Sequence, residues 1–248
     1  VGSKPVKELI LPGESFLVGE RPAFIFWPDA EKRSTPQPWV LYAPTLPPYP
    51  DAHEKAMHQR FLDAGIAVAG IDVGEAYGGP RGREAFDALH RELTTERGFA
   101  QRPCLLGRSR GGLWVLSWAA ANPEKVSGVA GIYPVFDLRS YPGLARAASA
   151  YGLSADRLEA TLADHNPIER VGALADRKIP ALLIHGDDDK VVPIGPNSAE
   201  FARRYRETGA GDAVTLIVAQ GQGHNFWEGF FHCRELIDFA IERARAGR

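Results

Sequence analysis

Apolar residues along this chain fall into short runs with two different spacings. Trp39 to Ala43, Ile66 to Asp72, Cys104 to Leu106, Val126 to Tyr133, Ile179 to His185 and Val214 to Ala219 are compact and nearly unbroken. That is the pattern of strands buried on both faces. Between them, apolar residues recur every three or four positions. Met57 and Phe61 mark a helix over Asp51 to Ala64, with Asp51 as its cap. Phe86, Leu89 and Leu93 mark another over Arg83 to Arg97, and Pro196 to Thr208 and Gly229 to Ala244 read as two more. Near the N-terminus, Val6 to Leu11, Ser15 to Val18 and Ala23 to Trp27 are β-rich and broken by Pro12-Gly13 and Gly19-Glu20. They predict antiparallel strands at a sheet edge. Strands alternating with helices predict an α/β fold, a mostly parallel sheet of about eight strands with helices on both faces.

Two segments break the alternation. Pro44 to Pro50 carries four prolines and can be neither helix nor central strand. It reads as a stiff loop at a strand end, where open α/β sheets contact their ligands. Phe136 to Lys178 holds Tyr141-Pro142-Gly143, an alanine-rich helix, a short helix from Ser154 to Ala163, and Asn166-Pro167. It predicts a helical insertion over residues 136–178, a small lid across the carboxyl edge of the sheet. Everything else reads as one domain spanning residues 1–248, without repeats or interdomain linkers.

Composition narrows the partners. The 248 residues suffice for one large core. A net charge of −2 gives neither nucleic acid nor an anionic membrane an obvious hold. No apolar run is long enough to span a bilayer, and no signal peptide is visible. The two cysteines, Cys104 and Cys233, form no disulfide framework. Compartment and oligomeric state stay open. Neither a phosphate-type glycine loop nor zinc-type Cys/His spacing is present, so no metal or organic cofactor is expected.

The chemistry concentrates at Gly107-Arg108-Ser109-Arg110-Gly111. An isolated Gly-x-Ser-x-Gly is most often a turn. Here an apolar strand precedes it, and Leu113, Trp114, Leu116 and Trp118 continue it as a helix, the context a nucleophile elbow requires. Trp114 and Trp118 read as core of that helix. A serine hydroxyl needs a base within hydrogen-bond reach and a group to orient that base. His224 lies in Gly221-Gln222-Gly223-His224, just after the last strand. Asp189 lies in His185-Gly186-Asp187-Asp188-Asp189, after the preceding strand. Three loops thus converge on one sheet edge in the order Ser, Asp, His.

These motifs resemble the α/β-hydrolases of the dienelactone-hydrolase and prolyl-oligopeptidase-like branch, over nearly the whole chain. In the resemblance, His-Gly-x-x-Asp-x-x-Val-Pro places the acid at Asp189, Gly-x-Gly-His places the base at His224, and Ser109 matches the nucleophile. The alternative acid is Asp137, since some relatives carry it one strand earlier. His53, His58, His90, His165 and His232 read as surface or packing residues, and His185 as a brace for the acid loop.

An oxyanion hole needs two N–H donors. Arg110 should give one. The other should follow the strand ending at Ala43, where relatives carry His-Gly and this chain has Ala43-Pro44-Thr45-Leu46. Proline has no N–H, so Thr45 is the expected donor and Leu46 the alternative. Arg108 and Arg110 either form ion pairs or hold a substrate carboxylate. Ser-Arg is also similar to glucuronoyl esterases, though over two residues only. Tyr49, Glu75 and Trp227 are the further candidates for substrate contact, with Tyr77, Phe136, Arg139 and Tyr141 on loops at the same edge. The resulting expectation is a serine esterase acting on a small acyl or carbohydrate-linked ester, the uronate type among the latter. The rivals are a peptidase of the prolyl-oligopeptidase-like kind and a non-catalytic member of the fold.

Overall fold

The computed structural model describes residues 6–248. Eight strands form one sheet: β1 (Gly13–Val18), β2 (Arg21–Phe26), β3 (Trp39–Ala43), β4 (Ala67–Ile71), β5 (Cys104–Arg108), β6 (Gly128–Ile132), β7 (Ala181–Gly186) and β8 (Val214–Ala219). Their order is β1-β2-β4-β3-β5-β6-β7-β8. β1 and β2 run antiparallel, β2 is antiparallel to β4, and every later pair is parallel.

Side-chain alternation along each strand builds two cores. Trp39, Leu41 and Ala43 of β3 and Leu105 of β5 face one layer; Val40, Tyr42, Cys104 and Leu106 face the other. The first layer takes α2 (Pro80–Arg91) and α3 (Gly111–Ala121). The second takes α1 (Lys55–Asp63), α9 (Glu228–Phe231) and α10 (Arg234–Ala246). Ten residues of α3, Gly111 through Ala120, are buried, so this helix is apolar all round rather than on one stripe.

Segment 136–178 folds as α4 (Leu144–Ala147), α5 (Ala155–Ala160), α6 (Leu162–His165) and α7 (Gly172–Ala175), joined by 3-10 turns. Leu158, Ile168, Val171 and Leu174 pack it onto the α2–α3 layer. The Tyr151 hydroxyl donates to Tyr77 O at 2.8 Å. α8 (Glu200–Glu207) closes the same face.

Two expectations fail. Val6 to Leu11 is not a strand. Lys7 is buried there, its Nζ 3.1 Å from Asp72 Oδ1, and a buried lysine fixed to one carboxylate replaces the expected ladder. The last helix is broken at His232-Cys233 into α9 and α10. Its apolar spacing runs through the break because Phe230, Phe231, Leu236 and Ile237 all face one core.

Candidate active site

β5 ends at Arg108, and the chain turns at Ser109 with φ +52°, a conformation that costs an L-residue about 1–3 kcal/mol. The turn is held from outside: Ser109 N–H donates to Ile132 O at 3.0 Å, and Val135 N–H donates to Ser109 O at 2.8 Å. Gly111 follows because a Cβ there would lie 2.3 Å from the carbonyl of Ala43. Glycine therefore lets α3 start against the end of β3, with the Arg110 N–H standing ahead of the helix where such groups lack an intrahelical acceptor.

Ser109 Oγ lies 2.9 Å from His224 Nε2, and His224 Nδ1 lies 2.7 Å from Asp189 Oδ2. The three loops expected to converge do so. Asp189 Oδ1 accepts from Val191 N–H at 3.0 Å and Val192 N–H at 2.8 Å. Burial alone would raise this carboxyl's pKa. Hydrogen bonds from His185, His224 and Val192 N–H outweigh burial and hold it well below the usual carboxylate range. His185 braces the loop, with Nε2 2.8 Å from Val192 O and Nδ1 2.8 Å from Ser198 Oγ. Asp137, the alternative acid, is not at the site. Its Oδ1 accepts from Asn166 Nδ2 at 2.7 Å and Arg139 N–H at 3.1 Å, bonds internal to segment 136–178.

A cavity of about 190 Å³ opens over the serine. Its wall contains Pro44, Tyr49, Arg108, Arg110, Tyr133, Tyr141, Val191, Asn225 and Phe226 around Ser109 and His224. Of the expected contact residues, Tyr49, Arg108 and Arg110 line it, and Glu75 and Trp227 do not. Glu75 is taken by an ion pair with Arg110 at the rim. Trp227 turns to Phe230, ring centroids 5.3 Å apart. Thr45 is fully buried and its hydroxyl donates to Ile71 O, away from the cavity. Its loop is pinned by Lys7, whose Nζ donates to Thr45 O at 3.0 Å and Leu46 O at 3.3 Å.

Neither arginine beside the serine is free. Arg108 Nη1 lies 2.9 Å from Glu54 Oε2 and 3.1 Å from Asp51 Oδ2, with Phe231 and Tyr49 rings 5.0 and 5.3 Å from its guanidinium carbon. Burial opposes the Arg108 charge, but the carboxylates overcome it and raise its pKa. Asp51 and Glu54 are joined by a capping box at the 3-10 turn Ala52–Glu54 that leads into α1. The spacing Asp51-x-x-Glu54 was the available sequence signal. Tyr133, unanticipated, directly follows β6 at φ +33° and sets its ring 4.3 Å from that of His224. Burial pushes its hydroxyl pKa up to about 12, so it stays neutral.

Among the described residues, no group of three or more His, Cys, Asp or Glu is placed to hold a metal ion, and no helix is long and apolar enough to cross a membrane.

A doubly covered, mostly parallel sheet with a serine elbow at its carboxyl edge defines an α/β-hydrolase, with the fold of the serine hydrolases. Residues 84–238, more than half of the chain, match the model of the prolyl oligopeptidase family, and the chain belongs to that family. Its structure is similar to Est1E from Butyrivibrio proteoclasticus, with a TM-score of 0.68 and 17% identity over 94% of this chain and 99% of that one. It is also similar to a puromycin-hydrolyzing peptidase of Mycobacterium tuberculosis, with a TM-score of 0.70 and 17% identity over 96% of this chain and 39% of that one. Dipeptidyl peptidase 4 of Porphyromonas gingivalis gives 0.69 and 15%, over 94% and 35%. The chain thus spans little more than a third of either peptidase. At these identities the likeness is one of fold. No curated protein matches the sequence.

Proposed function

We propose that this protein hydrolyses a carboxylic ester through an acyl-enzyme. Ser109 attacks the carbonyl and His224 takes the hydroxyl proton. Asp189 fixes the imidazole tautomer and balances the imidazolium. The N–H of Arg110 receives the developing oxyanion, whereas Thr45, the expected second donor, is fully buried and outside the cavity wall and does not share it. His224 then passes the proton to the leaving alcohol, and water repeats the sequence to release the acid. The observation that carries this reading is the unbroken relay of 2.9 and 2.7 Å from Ser109 Oγ through His224 to Asp189. The wall around it is aromatic and polar, and the small cavity suits a short acyl group. Engagement of Arg108 and Arg110 by carboxylates favours an uncharged substrate over a uronate.

Peptide hydrolysis is the second reading, favoured by the family match and the two peptidase neighbours. A fluorophosphonate probe tests the nucleophile, with p-nitrophenyl acetate and the corresponding p-nitroanilide run alongside. Wild type should label and release nitrophenol, and Ser109→Ala should do neither. Faster turnover of the anilide would transfer the assignment to a peptidase. A wild type that neither labels nor turns over would overturn both readings.

A further inference from the structure

We propose that Phe226, backed by His53 and flanked by Val191, forms a subsite for the alcohol half of the ester, and that it takes an alcohol bearing a flat aromatic ring. The proposal rests on Ser109 and His224 acting as nucleophile and base.

Six large apolar side chains of the described residues are exposed, and three of them, Val191, Phe226 and Trp227, stand on the loops that carry Asp189 and His224. Scattered single apolar residues need no explanation, but such a concentration at the mouth of a cleft does. Val191 and Phe226 line the cavity and are 54% and 56% exposed. Phe226 is also held in place. Its ring stacks on His53 with centroids 4.0 Å apart and planes 7° apart. The Arg108 guanidinium carbon sits 5.6 Å from the Phe226 centroid. One face of Phe226 is thus covered by a near-parallel ring while the side chain stays open to the cavity. A preorganised flat surface of this kind loses little freedom on binding another ring.

The chemistry decides which half of the substrate lies there. When the tetrahedral intermediate collapses, the ester C–O bond breaks and the leaving oxygen takes its proton from His224 Nε2. That oxygen must lie within hydrogen-bond reach of the imidazole, so the alcohol projects along the His224 loop. Asn225 and Phe226 follow His224 directly, and Val191 comes two residues after its acid partner. The ledge is where the alcohol leaves.

The test is the ratio of kcat/KM for benzyl acetate over ethyl acetate, which share one acyl-enzyme and differ only in the alcohol. Phe226→Ala is expected to lower the ratio about tenfold, the size of one aromatic contact. Phe226→Leu, which keeps bulk without a flat face, should lower it as well, and His53→Ala by less. An unchanged ratio overturns the proposal. So does an equal loss between methyl phenylacetate and methyl acetate, which would put the ring on the acyl side. A second measurement needs no turnover: 19F line broadening of 4-fluorobenzyl alcohol by Ser109→Ala. Adding Phe226→Ala should abolish the broadening, and equal broadening in both variants overturns the ledge whether or not the protein proves to be an esterase.

Discussion

Arg108 Nη1 lies 2.9 Å from Glu54 Oε2, in an ion pair whose side chains are 5% and 1% exposed and which joins the residue before the nucleophile to the turn that begins α1. Asp51 completes the cluster, and the Tyr42 hydroxyl donates to Glu54 from the middle of β3. Burial raises the Glu54 pKa against the opposing pull of Arg108 and Tyr42. Removing the cation would leave a buried carboxylate uncompensated. Arg108→Met is therefore expected to cost about 3–5 kcal/mol in urea unfolding. Adding Glu54→Gln to that variant should recover part of the loss, because the fully buried carboxylate is then gone and only the partly exposed Asp51 is left without its cation. A double variant no more stable than Arg108→Met would rule out the electrostatic cause.

Backbone strain at the elbow is separable from chemistry. Ser109→Ala and Ser109→Gly both lack the hydroxyl, but only glycine is comfortable at φ +52°. The glycine variant should be more stable than the alanine variant by about 1 kcal/mol, with both inactive. Paired thermal melts decide it. Equal melting temperatures would mean that the surrounding hydrogen bonds, and not the strained turn, dominate the local energy.

Asp189 serves both rate and stability. Asp189→Asn should lower kcat by roughly 10⁴-fold, since an amide no longer selects the required imidazole tautomer. The native carboxyl titrates below its unfolded counterpart. Its stabilisation is thus present above the unfolded pKa of about 4 and is lost as pH falls through the lower folded value. The stability gap between wild type and Asp189→Asn should shrink as pH drops below about 4. A gap constant from pH 7 to pH 3 would contradict the assignment of the shift to the native hydrogen bonds.

The residues legible in the sequence were those whose role follows from neighbours along the chain. Ser109 announces itself through flanking glycines, and one of these, Gly111, is required by the carbonyl of Ala43. His224 and Asp189 sit at strand ends that apolar runs reveal. Contacts made across the fold left no such trace. Arg108 gave no sign of whether it would meet substrate or carboxylate, because Asp51 and Glu54 lie more than fifty positions earlier and reach it only once β3 and β5 pair. Lys7 lies in what read as strand, and only the folded sheet brings it to Asp72 and Thr45. Tyr133 looked like the end of a strand, and its contact with His224 comes from an unusual φ that composition does not encode.

The neighbourhood of Arg108 also explains His58, a helix residue that looked like surface or packing and is wholly buried. Its ring lies among Tyr42, Phe26 and Phe61 at centroid distances of 5.0 to 5.8 Å, and neither ring nitrogen has a hydrogen-bond partner. Burial, reinforced by the nearby Arg108 cation, lowers its pKa to about 3. The unfolded chain takes up a proton near pH 6.5, whereas the folded protein does so only near 3. Between those values the unfolded state binds one more proton, so stability falls as pH falls, with a slope approaching about 1.4 kcal/mol per pH unit. His58→Leu removes both the titration and the unsatisfied ring nitrogens. At pH 7 the variant should equal or exceed wild type by about 1 kcal/mol. Its advantage should widen steadily as the pH is lowered from 6 to 4. Urea unfolding of both proteins at half-unit steps reads this directly, and parallel curves across that window would show that the imidazole is solvated or paired in the native protein.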